Sequence, residues 1–476
     1  MKSVKTPRRI QTLLALLAIS AHCLPHVCAQ SAYESNVPMT RPGEMLAVHQ
    51  TAYGHASTFV ELRDGRILHV AGKNAMISAD GGLTWSEPQV MEDTGDNIVG
   101  GGSPSLVRLS GEGIGLAAWA AAPKEQDKAT WYKWEGHILF WRSEDEGKTW
   151  APPVRINPPN APTYCLQDVL VRTSSGRILL PAYIAMGQNT GPQGQEPPAH
   201  GKLVRGQWVP TGAHYFDPRF LATIVYYSDD DGRTWQHNKD GHLFAMTHWT
   251  TVHAHTCEPT LAEVAPGQLL LLMRTALGRL YQSWSHDNGE TWTRPLASPL
   301  AASTAPAQLR RLSNGHLLVV WNQESPEEVK KGCARTRLSA AISRNGGTVW
   351  EFFQNVESLS ESVRVEPGPI EPVRPAEIHV DSALPAPVRE PEAIVEAEGH
   401  GRWSYPSVLV LKDRVLIAHT YSVYEDDPAN ACLINSGNKP GGFNQKLKVL
   451  PLTWFYGGKQ PADNPFFKNA HAPAKP

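Results

Sequence analysis

The sequence predicts an all-β fold, a six-bladed β-propeller, and three observations support this prediction. The first is an eight-residue phrase, Ser-x-Asp-x-Gly-x-Thr-Trp or a close variant, which occurs at 78–85, 143–150, 228–235, 285–292 and 343–350. The second is a set of six segments with the pattern of a β-hairpin. The third is a composition with 39 glycines, 39 prolines and 15 tryptophans in 476 residues, which favours turn-rich β structure.

The six hairpin segments each combine an alternating strand, a turn and a second apolar strand. They lie at 58–72, 105–120, 169–183, 260–275, 308–322 and 407–421. One copy of the phrase follows each of the first five segments, so the phrase is expected to close a second, outer hairpin. Two hairpins make a four-stranded blade, and six such blades make a closed propeller.

The repeated phrase, which we call the Asp box, has a structural explanation. Its Ser and Asp are expected to bind backbone N–H groups of a tight turn, and its Gly to supply the unusual dihedral angles. Its Trp is expected to pack between neighbouring sheets. We therefore assign the Asp boxes no catalytic role.

The sixth hairpin has no Asp box after it. We expect "KLKVLPLTWF" (446–455) and an N-terminal strand near "MLAVHQ" (45–50) to complete the last blade, because joining both chain ends removes exposed strand edges. Insertions are predicted at 186–222 and 356–400. The propeller then spans 30–456, and the tail at 457–476 is expected to be disordered.

The N-terminal 29 residues have the features of a signal peptide. A basic stretch at 2–9 precedes an apolar core at 13–20 and the small-residue cleavage site "VCA" at 27–29. A secreted or periplasmic protein is expected. The net charge of -2 and the absence of another apolar run of about 20 residues give no reason to expect nucleic acid or a membrane as partner.

Four cysteines follow the predicted cleavage site. In an oxidising compartment they could form disulfides. Their positions in adjacent blades suggest the pairs Cys165–Cys257 and Cys333–Cys432, and free buried thiols are the alternative.

Aligning the six hairpins places the start of each first strand and the end of each second strand at one end of the propeller, which we call the mouth. Aromatic and charged side chains there indicate a carbohydrate site, and His55 and Asp168 are one residue from the strand starts. The starts are Ala56, Ser103, Gln167, Glu258, Pro306 and Tyr405. The ends are Gly72, Trp119, Tyr183, Arg274, Asn322 and Tyr421.

Glu258 and Arg274 share one hairpin, and Tyr405 has the same alignment position as Glu258 two blades later. A phenol is a weak nucleophile unless a base takes its proton, and Glu258 could be that base for Tyr405. Arg274 would then bind an anionic group of the substrate. The alternative for Glu258 and Arg274 is a cross-strand ion pair.

Two further candidates lie in loops near the mouth. Asp96, in the glycine-rich stretch 95–104, is a candidate acid, and a solvated loop carboxylate is the alternative. His253 and His255 could hold a metal only with a third ligand, which the sequence does not supply. No metal and no cofactor are therefore expected, and His255 is predicted to line the substrate site.

The chain resembles the sialidase superfamily over residues 45–456. The resemblance rests on the Asp boxes, the hairpins, "EPTLAEVAPGQLLLLMRT" (258–275) and "SYPSVLVLKD" (404–413). It implies a tyrosine nucleophile activated by a glutamate, an aspartic acid/base and three arginines around a sialic carboxylate. Tyr405, Glu258 and Arg274 match the nucleophile, its base and the middle arginine. The stretches 53–59 and 302–309, where the other two arginines are expected, contain no arginine.

Three functions remain open at this point. The first is a secreted exo-glycosidase that removes sialic acid or a similar acidic sugar from a glycan. The second is a glycosidase or lyase for uronate-containing polysaccharide, with a histidine base and Arg274 on the uronate. The third is a non-catalytic glycan-binding propeller.

Overall fold

The structure is a computed structural model that describes residues 47–51, 57–120, 137–158, 161, 163–165, 167–186, 201–204, 207–210, 220–248, 252–254, 256–275, 277–324, 335, 337–358, 400–424 and 444–457. It is a six-bladed propeller, as the sequence predicts, with one antiparallel sheet per blade. Within these ranges no helix is long and apolar enough to span a bilayer.

The first three blades follow the predicted order of strands. β1 (Ala47–Thr51) comes first in the chain and joins the last blade. Blade one contains β2 (Ser57–Glu61), β3 (Ile67–Ala71), β4 (Asn74–Ser78) and β5 (Gln89–Val90). Blade two contains β6 (Gly102–Arg108), β7 (Ile114–Ala120), β8 (His137–Ser143) and β9 (Val154–Arg155). Blade three contains β10 (Thr163–Tyr164), β11 (Val171–Arg172), β12 (Ile178–Met186), the hairpin of β13 (Gly201–Val204) and β14 (Gln207–Pro210), β15 (Phe220–Ser228) and β16 (Gln236–His237).

The second half of the ring repeats this arrangement. A hairpin of β17 (Ala245–His248) and β18 (Val252–Ala254) precedes blade four, which contains β19 (Cys257–Ala265), β20 (Gln268–Arg274), β21 (Arg279–Ser285) and β22 (Leu296–Ala301). Blade five contains β23 (Gln308–Arg311), β24 (Leu317–Trp321), β25 (Arg337–Ser343) and β26 (Glu351–Ser358). Blade six contains β27 (His400–Val410), β28 (Arg414–Tyr424) and β29 (Asn444–Pro451), followed by a short 3-10 helix (Leu452–Tyr456).

Both chain ends close the ring in blade six. The sheet order there is β1-β29-β28-β27, so the first strand of the described residues lies outside the last. β1 is antiparallel to β29, and Ala47 faces Val449. The predicted closure by an N-terminal strand and the 446–455 segment is therefore confirmed.

Six clusters of the hydrophobic core form a ring, one in each seam between neighbouring blades, and a seventh small cluster contains Tyr183, Leu221 and Cys257. β24 shows how one strand supplies two seams. Leu317 and Val319 belong to the cluster between blades four and five, and Leu318 and Val320 to the cluster between blades five and six. Because successive strand residues point to opposite faces and both faces are covered, the strand is apolar throughout.

The Asp boxes form the predicted turns, and the fourth box is representative. Asp287 accepts hydrogen bonds from the Thr291 backbone N–H (2.9 Å), the Thr291 hydroxyl (2.6 Å) and the Ser285 hydroxyl (2.8 Å). Burial acts to raise the pKa of Asp287, but these hydrogen bonds hold it below its ordinary value. The Trp292 side chain is buried in the seam cluster between blades three and four.

The glycine of each Asp box packs directly against the preceding blade. A Cβ atom on Gly232 would lie 2.0 Å from Phe140 of blade two, and one on Gly289 would lie 2.8 Å from Leu179 of blade three. Gly82, Gly147 and Gly347 approach Leu416, Leu68 and Leu270 in the same way. The sequence explains these glycines by their dihedral angles, and the structure adds the close approach between blades.

One of the two predicted disulfide bonds needs correction. Cys165 and Cys257 are free, buried thiols. They lie in separate apolar clusters, so the predicted pair does not form. The second predicted pair, Cys333–Cys432, lies outside the described residues, as does most of the 356–400 insertion.

Candidate functional site

The first strands of blades two, four and six each contain a β-bulge at the mouth. In β6, β19 and β27 the pairing register shifts, between Gly102 and Ser105, Cys257 and Thr260, and Ser404 and Ser407. Each bulge holds a residue followed by proline, and that residue has a positive φ: Ser103 (49°), Glu258 (41°) and Tyr405 (54°). Bulges redirect side chains, and such strained residues cluster at functional sites. Proline fits there because the ladder is interrupted.

Glu258 is the centre of the site. The Tyr405 hydroxyl donates to its Oε1 at 2.8 Å, and Arg274 Nη1 donates to its Oε2. The Glu258 side chain is fully buried, and that of Arg274 is 4% exposed. Glu258 thus faces a phenol with one oxygen and a guanidinium with the other. The structure brings together the three residues that the sequence predicts as nucleophile, base and anion-binding arginine.

Two other potential nucleophiles near Glu258 are held protonated. Burial raises the pKa of Tyr183 well above its ordinary value, and the charge of Glu258 raises it further. Burial also raises the pKa of the Cys257 thiol to about 12. Since a thiolate or phenolate is the reactive form, these environments disfavour Cys257 and Tyr183 as nucleophiles. Of these three side chains, Tyr405 is the one whose hydroxyl binds the Glu258 carboxylate.

A second arginine stands at the mouth where the sequence analysis did not look. Arg335 lies with its guanidinium 5.3 Å from the centre of the Tyr405 ring. Its Nη1 donates to the Ser404 hydroxyl at 3.3 Å, and its backbone N–H donates to Glu324 at 2.6 Å. The hairpin alignment missed it because it covers only the two inner strands. The available signal was a basic residue just before β25, at the mouth end of blade five.

Thr304 connects the two arginines. Its hydroxyl oxygen accepts hydrogen bonds from Arg274 Nε and Nη2, both at 3.3 Å, and its carbonyl oxygen accepts one from Arg335 Nη2 at 3.5 Å. Thr304 lies in the 302–309 stretch, where the family resemblance predicts an arginine. The stretch itself contains no arginine, and the basic group near this position comes from Arg335.

A row of aromatic rings leads away from Glu258 across blades two and three. The rings of Tyr164 and Tyr183 stack with centres 5.5 Å apart, and Trp119 meets Tyr164 at 5.8 Å. Trp119 and Tyr183 are predicted from the sequence to line the site, and Tyr164 joins them into one surface. Aromatic rows of this kind suit the apolar faces of sugar rings.

Asp168, predicted to bind substrate, lies instead on the propeller axis. Its carboxylate accepts hydrogen bonds from Thr58, Ser105 and Arg310, each at 2.8 Å. Burial raises its pKa above the ordinary value, and Arg310 opposes that shift. Arg310 also donates to the Val408 carbonyl at 2.9 Å. The network joins five blades, so we interpret Asp168 as a structural residue.

Asn322 is hydrogen-bonded to the backbone of two neighbouring strands. It is buried, and its amide nitrogen donates to the carbonyl oxygens of Arg337 (2.7 Å) and Trp403 (2.6 Å). The bond to Trp403 links the end of β24 to blade six, and the bond to Arg337 joins it to β25 of its own blade. The role of Asn322 in substrate binding stays a prediction.

Asp96 is not brought to the Tyr405–Glu258 pair. It lies exposed with a φ of 60° in a turn where its N–H donates to the Asp93 carbonyl at 3.0 Å. The neighbouring Thr94 N–H donates to the carbonyl of Trp150, the last residue of the second Asp box. Asp boxes lie at the end of the blades opposite the mouth, because Ser143 pairs with Ile114 next to the hairpin turn.

The glycines after Asp96 do approach the mouth, as predicted. A Cβ atom on Gly100 would lie 2.4 Å from the Gly72 carbonyl oxygen, and one on Gly102 would lie 2.8 Å from the Trp119 ring. Gly72 and Trp119 are both second-strand ends. His55 and His255 lie outside the described residues, and for Tyr421 only the backbone, in β28, is described. Among the residues that are described, no group of three or more His, Cys, Asp or Glu could hold a metal ion.

A six-bladed ring with Asp boxes in five blades, and with a Tyr–Glu pair and arginines at one mouth, defines a sialidase-like propeller. Sequence comparison gives the same class. The chain belongs to the BNR repeat-like domain family, which matches residues 74–417.

Comparison with individual proteins supports the fold. A sialidase of Bacteroides fragilis (strain YCH46) is 25% identical over 340 residues, which are 65% of this chain and 52% of that protein. The chain therefore spans about half the length of this curated relative. Two similar solved structures are a protein of unknown function from Dyadobacter fermentans (TM-score 0.50, 15% identity, 86% of this chain and 100% of that one) and the Hadza microbial sialidase Hz136 (TM-score 0.50, 14% identity, 88% and 68%).

Proposed function

We propose that this protein is an exported exo-glycosidase that removes a terminal acidic sugar, with sialic acid the first candidate, from a glycan. The observation that carries the proposal is the 2.8 Å hydrogen bond from the Tyr405 hydroxyl to Glu258, with Arg274 and Arg335 beside it. The hydrogen bond supports nucleophilic catalysis by Tyr405, and the two arginines support an anionic substrate. The similarity to sialidases agrees with both.

The chemistry follows from the order of these groups. The Tyr405 oxygen attacks the anomeric carbon while Glu258 takes the phenol proton, and the bond to the leaving oxygen breaks as that oxygen takes a proton from a solvent water molecule. The hydroxide left from that water then attacks the anomeric carbon, the bond to the Tyr405 oxygen breaks, and Glu258 returns its proton to Tyr405. A neutral phenol is suited to this step, because a carboxylate nucleophile would be repelled by a carboxylate on the sugar.

The arginines bind the carboxylate of the sugar in this proposal. Arg274 is already oriented by Glu258. The Arg335 guanidinium donates to Ser404, and the Arg335 backbone is held by Glu324. Guanidinium groups are suited to planar anions, since they donate several hydrogen bonds in a fixed geometry. The row from Tyr183 to Trp119 would contact the next sugar of the glycan.

The test is hydrolysis of a fluorogenic sialic acid glycoside by the wild-type chain, Tyr405→Phe and Tyr226→Phe. Tyr405→Phe is expected to lower kcat/KM by at least about 10³-fold, because the nucleophilic oxygen is gone. Tyr226→Phe is the matched control, since that hydroxyl contacts Thr163 in blade three at 3.2 Å. Equal activity of Tyr405→Phe and wild type contradicts the proposal. An inert wild type that cleaves a uronate-containing polysaccharide would favour the second function considered above.

A further inference from the structure

The loop between β22 and β23 places one neutral residue between two cations. Thr304 is partly buried, and its hydroxyl oxygen accepts from two nitrogens of Arg274, each at 3.3 Å. Its carbonyl oxygen accepts from Arg335 at 3.5 Å. The two guanidinium groups carry like charges and repel each other, and Thr304 supplies a neutral hydrogen-bond acceptor to each of them. It therefore holds the two cations together without neutralising either.

The direction of the Thr304 hydroxyl hydrogen follows from these contacts. A hydroxyl has one hydrogen and two lone pairs. Since its oxygen faces two N–H groups of Arg274, the hydrogen points away from that guanidinium. Among the residues that the structure describes, none accepts a hydrogen bond from this hydroxyl. Accepting bonds from a cation also polarises the O–H group and makes it a stronger donor.

We propose that Thr304 donates its hydroxyl hydrogen to the carboxylate of the acidic sugar, between Arg274 and Arg335. This inference rests on the proposed function, because it assumes an anionic sugar at the mouth. The anion site then consists of two guanidinium groups and one hydroxyl. Thr304 would select for a carboxylate, since a carboxylate accepts hydrogen bonds more strongly than a neutral ester.

The experiment measures binding of two ligands by calorimetry, free sialic acid and its neutral methyl ester. The full chain is compared with Thr304→Val, which keeps the side-chain shape, and Thr304→Ala, a second variant without the hydroxyl. Thr304→Ser keeps the hydroxyl and tests for rescue. Ser303→Ala is the matched control, because that neighbouring hydroxyl is buried and has no hydrogen-bond partner among the described residues. Thermal unfolding verifies that each variant is folded.

The proposal predicts a loss that is specific to the acid. Thr304→Val and Thr304→Ala should bind sialic acid about tenfold more weakly, as expected for one lost hydrogen bond to a charged group, and the ester unchanged. Thr304→Ser and Ser303→Ala should resemble wild type. Two results would show that the inference is wrong when wild type prefers the acid to the ester. In one, Thr304→Val keeps that preference, and in the other, Thr304→Val loses affinity for both ligands equally. A folded wild type without preference for the acid would instead contradict the proposed function itself.

Discussion

At the scale of single residues, the same types of side chain acquire different roles according to their surroundings. Glu258 and Asp168 are both buried carboxylates beside an arginine. Glu258 also accepts from the Tyr405 hydroxyl at the mouth, whereas Asp168 accepts from Thr58 and Ser105 on the axis. The hairpin alignment places both acids near the mouth. It cannot separate them, because neither burial nor the hydrogen-bond partners of a side chain follow from its position in a strand.

Replacement of Asp168 by alanine distinguishes a structural from a binding role. We expect Asp168→Ala to lower the free energy of unfolding by about 3 kcal/mol, because Arg310 would lose its buried partner. The KM of the fraction that folds should stay close to that of wild type. Chemical unfolding and kinetics on the soluble variant measure both quantities.

The control for this replacement is Asp229→Ala. Asp229 pairs with Arg177 at 2.7 Å, but its side chain is 57% exposed, so less than about 1 kcal/mol should be lost. A stable Asp168→Ala protein whose KM rises tenfold or more would restore Asp168 to the substrate site.

At the scale of the structural element, the Asp box fastens a blade both to itself and to the blade before it. Its aspartate closes the turn, and its glycine packs against a side chain of the preceding blade in all five boxes. The fifth box keeps this design with changed residues. Asn345 takes the place of the aspartate and still accepts from the Val349 N–H at 2.9 Å. The packing of the glycine is therefore independent of the charge in the box.

Two glycines with the same backbone conformation separate steric contact from backbone strain. Gly232 has a φ of 81° and Gly65 a φ of 82°, but only Gly232 lies against another blade. Gly65→Ala should cost about 1 kcal/mol through the strained conformation alone. Gly232→Ala should cost about 1–3 kcal/mol more, because its Cβ would overlap Phe140. Urea unfolding of both variants measures the difference, and equal losses would show that the close approach has no energetic consequence.

At the scale of the whole molecule, the sequence predicts the fold better than the site. Repeats at uneven distances, hairpins with period two and the two chain ends suffice to predict six blades and their closure. Blade number and order are properties of local patterns, which the sequence displays. The predicted bounds of the two insertions, 186–222 and 356–400, overlap the neighbouring strands by a few residues, since β15 begins at Phe220 and β26 continues to Ser358.

The mouth is only partly predictable because it combines residues from distant parts of the ring. The Tyr405–Glu258 contact follows from equal positions in two aligned strands. Arg335 and Thr304 lie in connections between strands, where no repeat indicates their position. Asp96 illustrates the opposite error, a residue wrongly assigned to the mouth. It belongs to the glycine-rich stretch that leads to the mouth, but its turn is hydrogen-bonded to the Asp box of blade two.

The most direct test of the central claim is to trap Tyr405 during catalysis. We would incubate the full chain with 2,3-difluorosialic acid, whose fluorine slows release of the sugar from the enzyme, and locate the added mass by peptide mass spectrometry. The account predicts one sugar on the peptide that contains Tyr405 and none on Tyr405→Phe. Turnover of a sialic acid glycoside with the sugar attached to another residue, or with equal labelling of Tyr405→Phe, would contradict it.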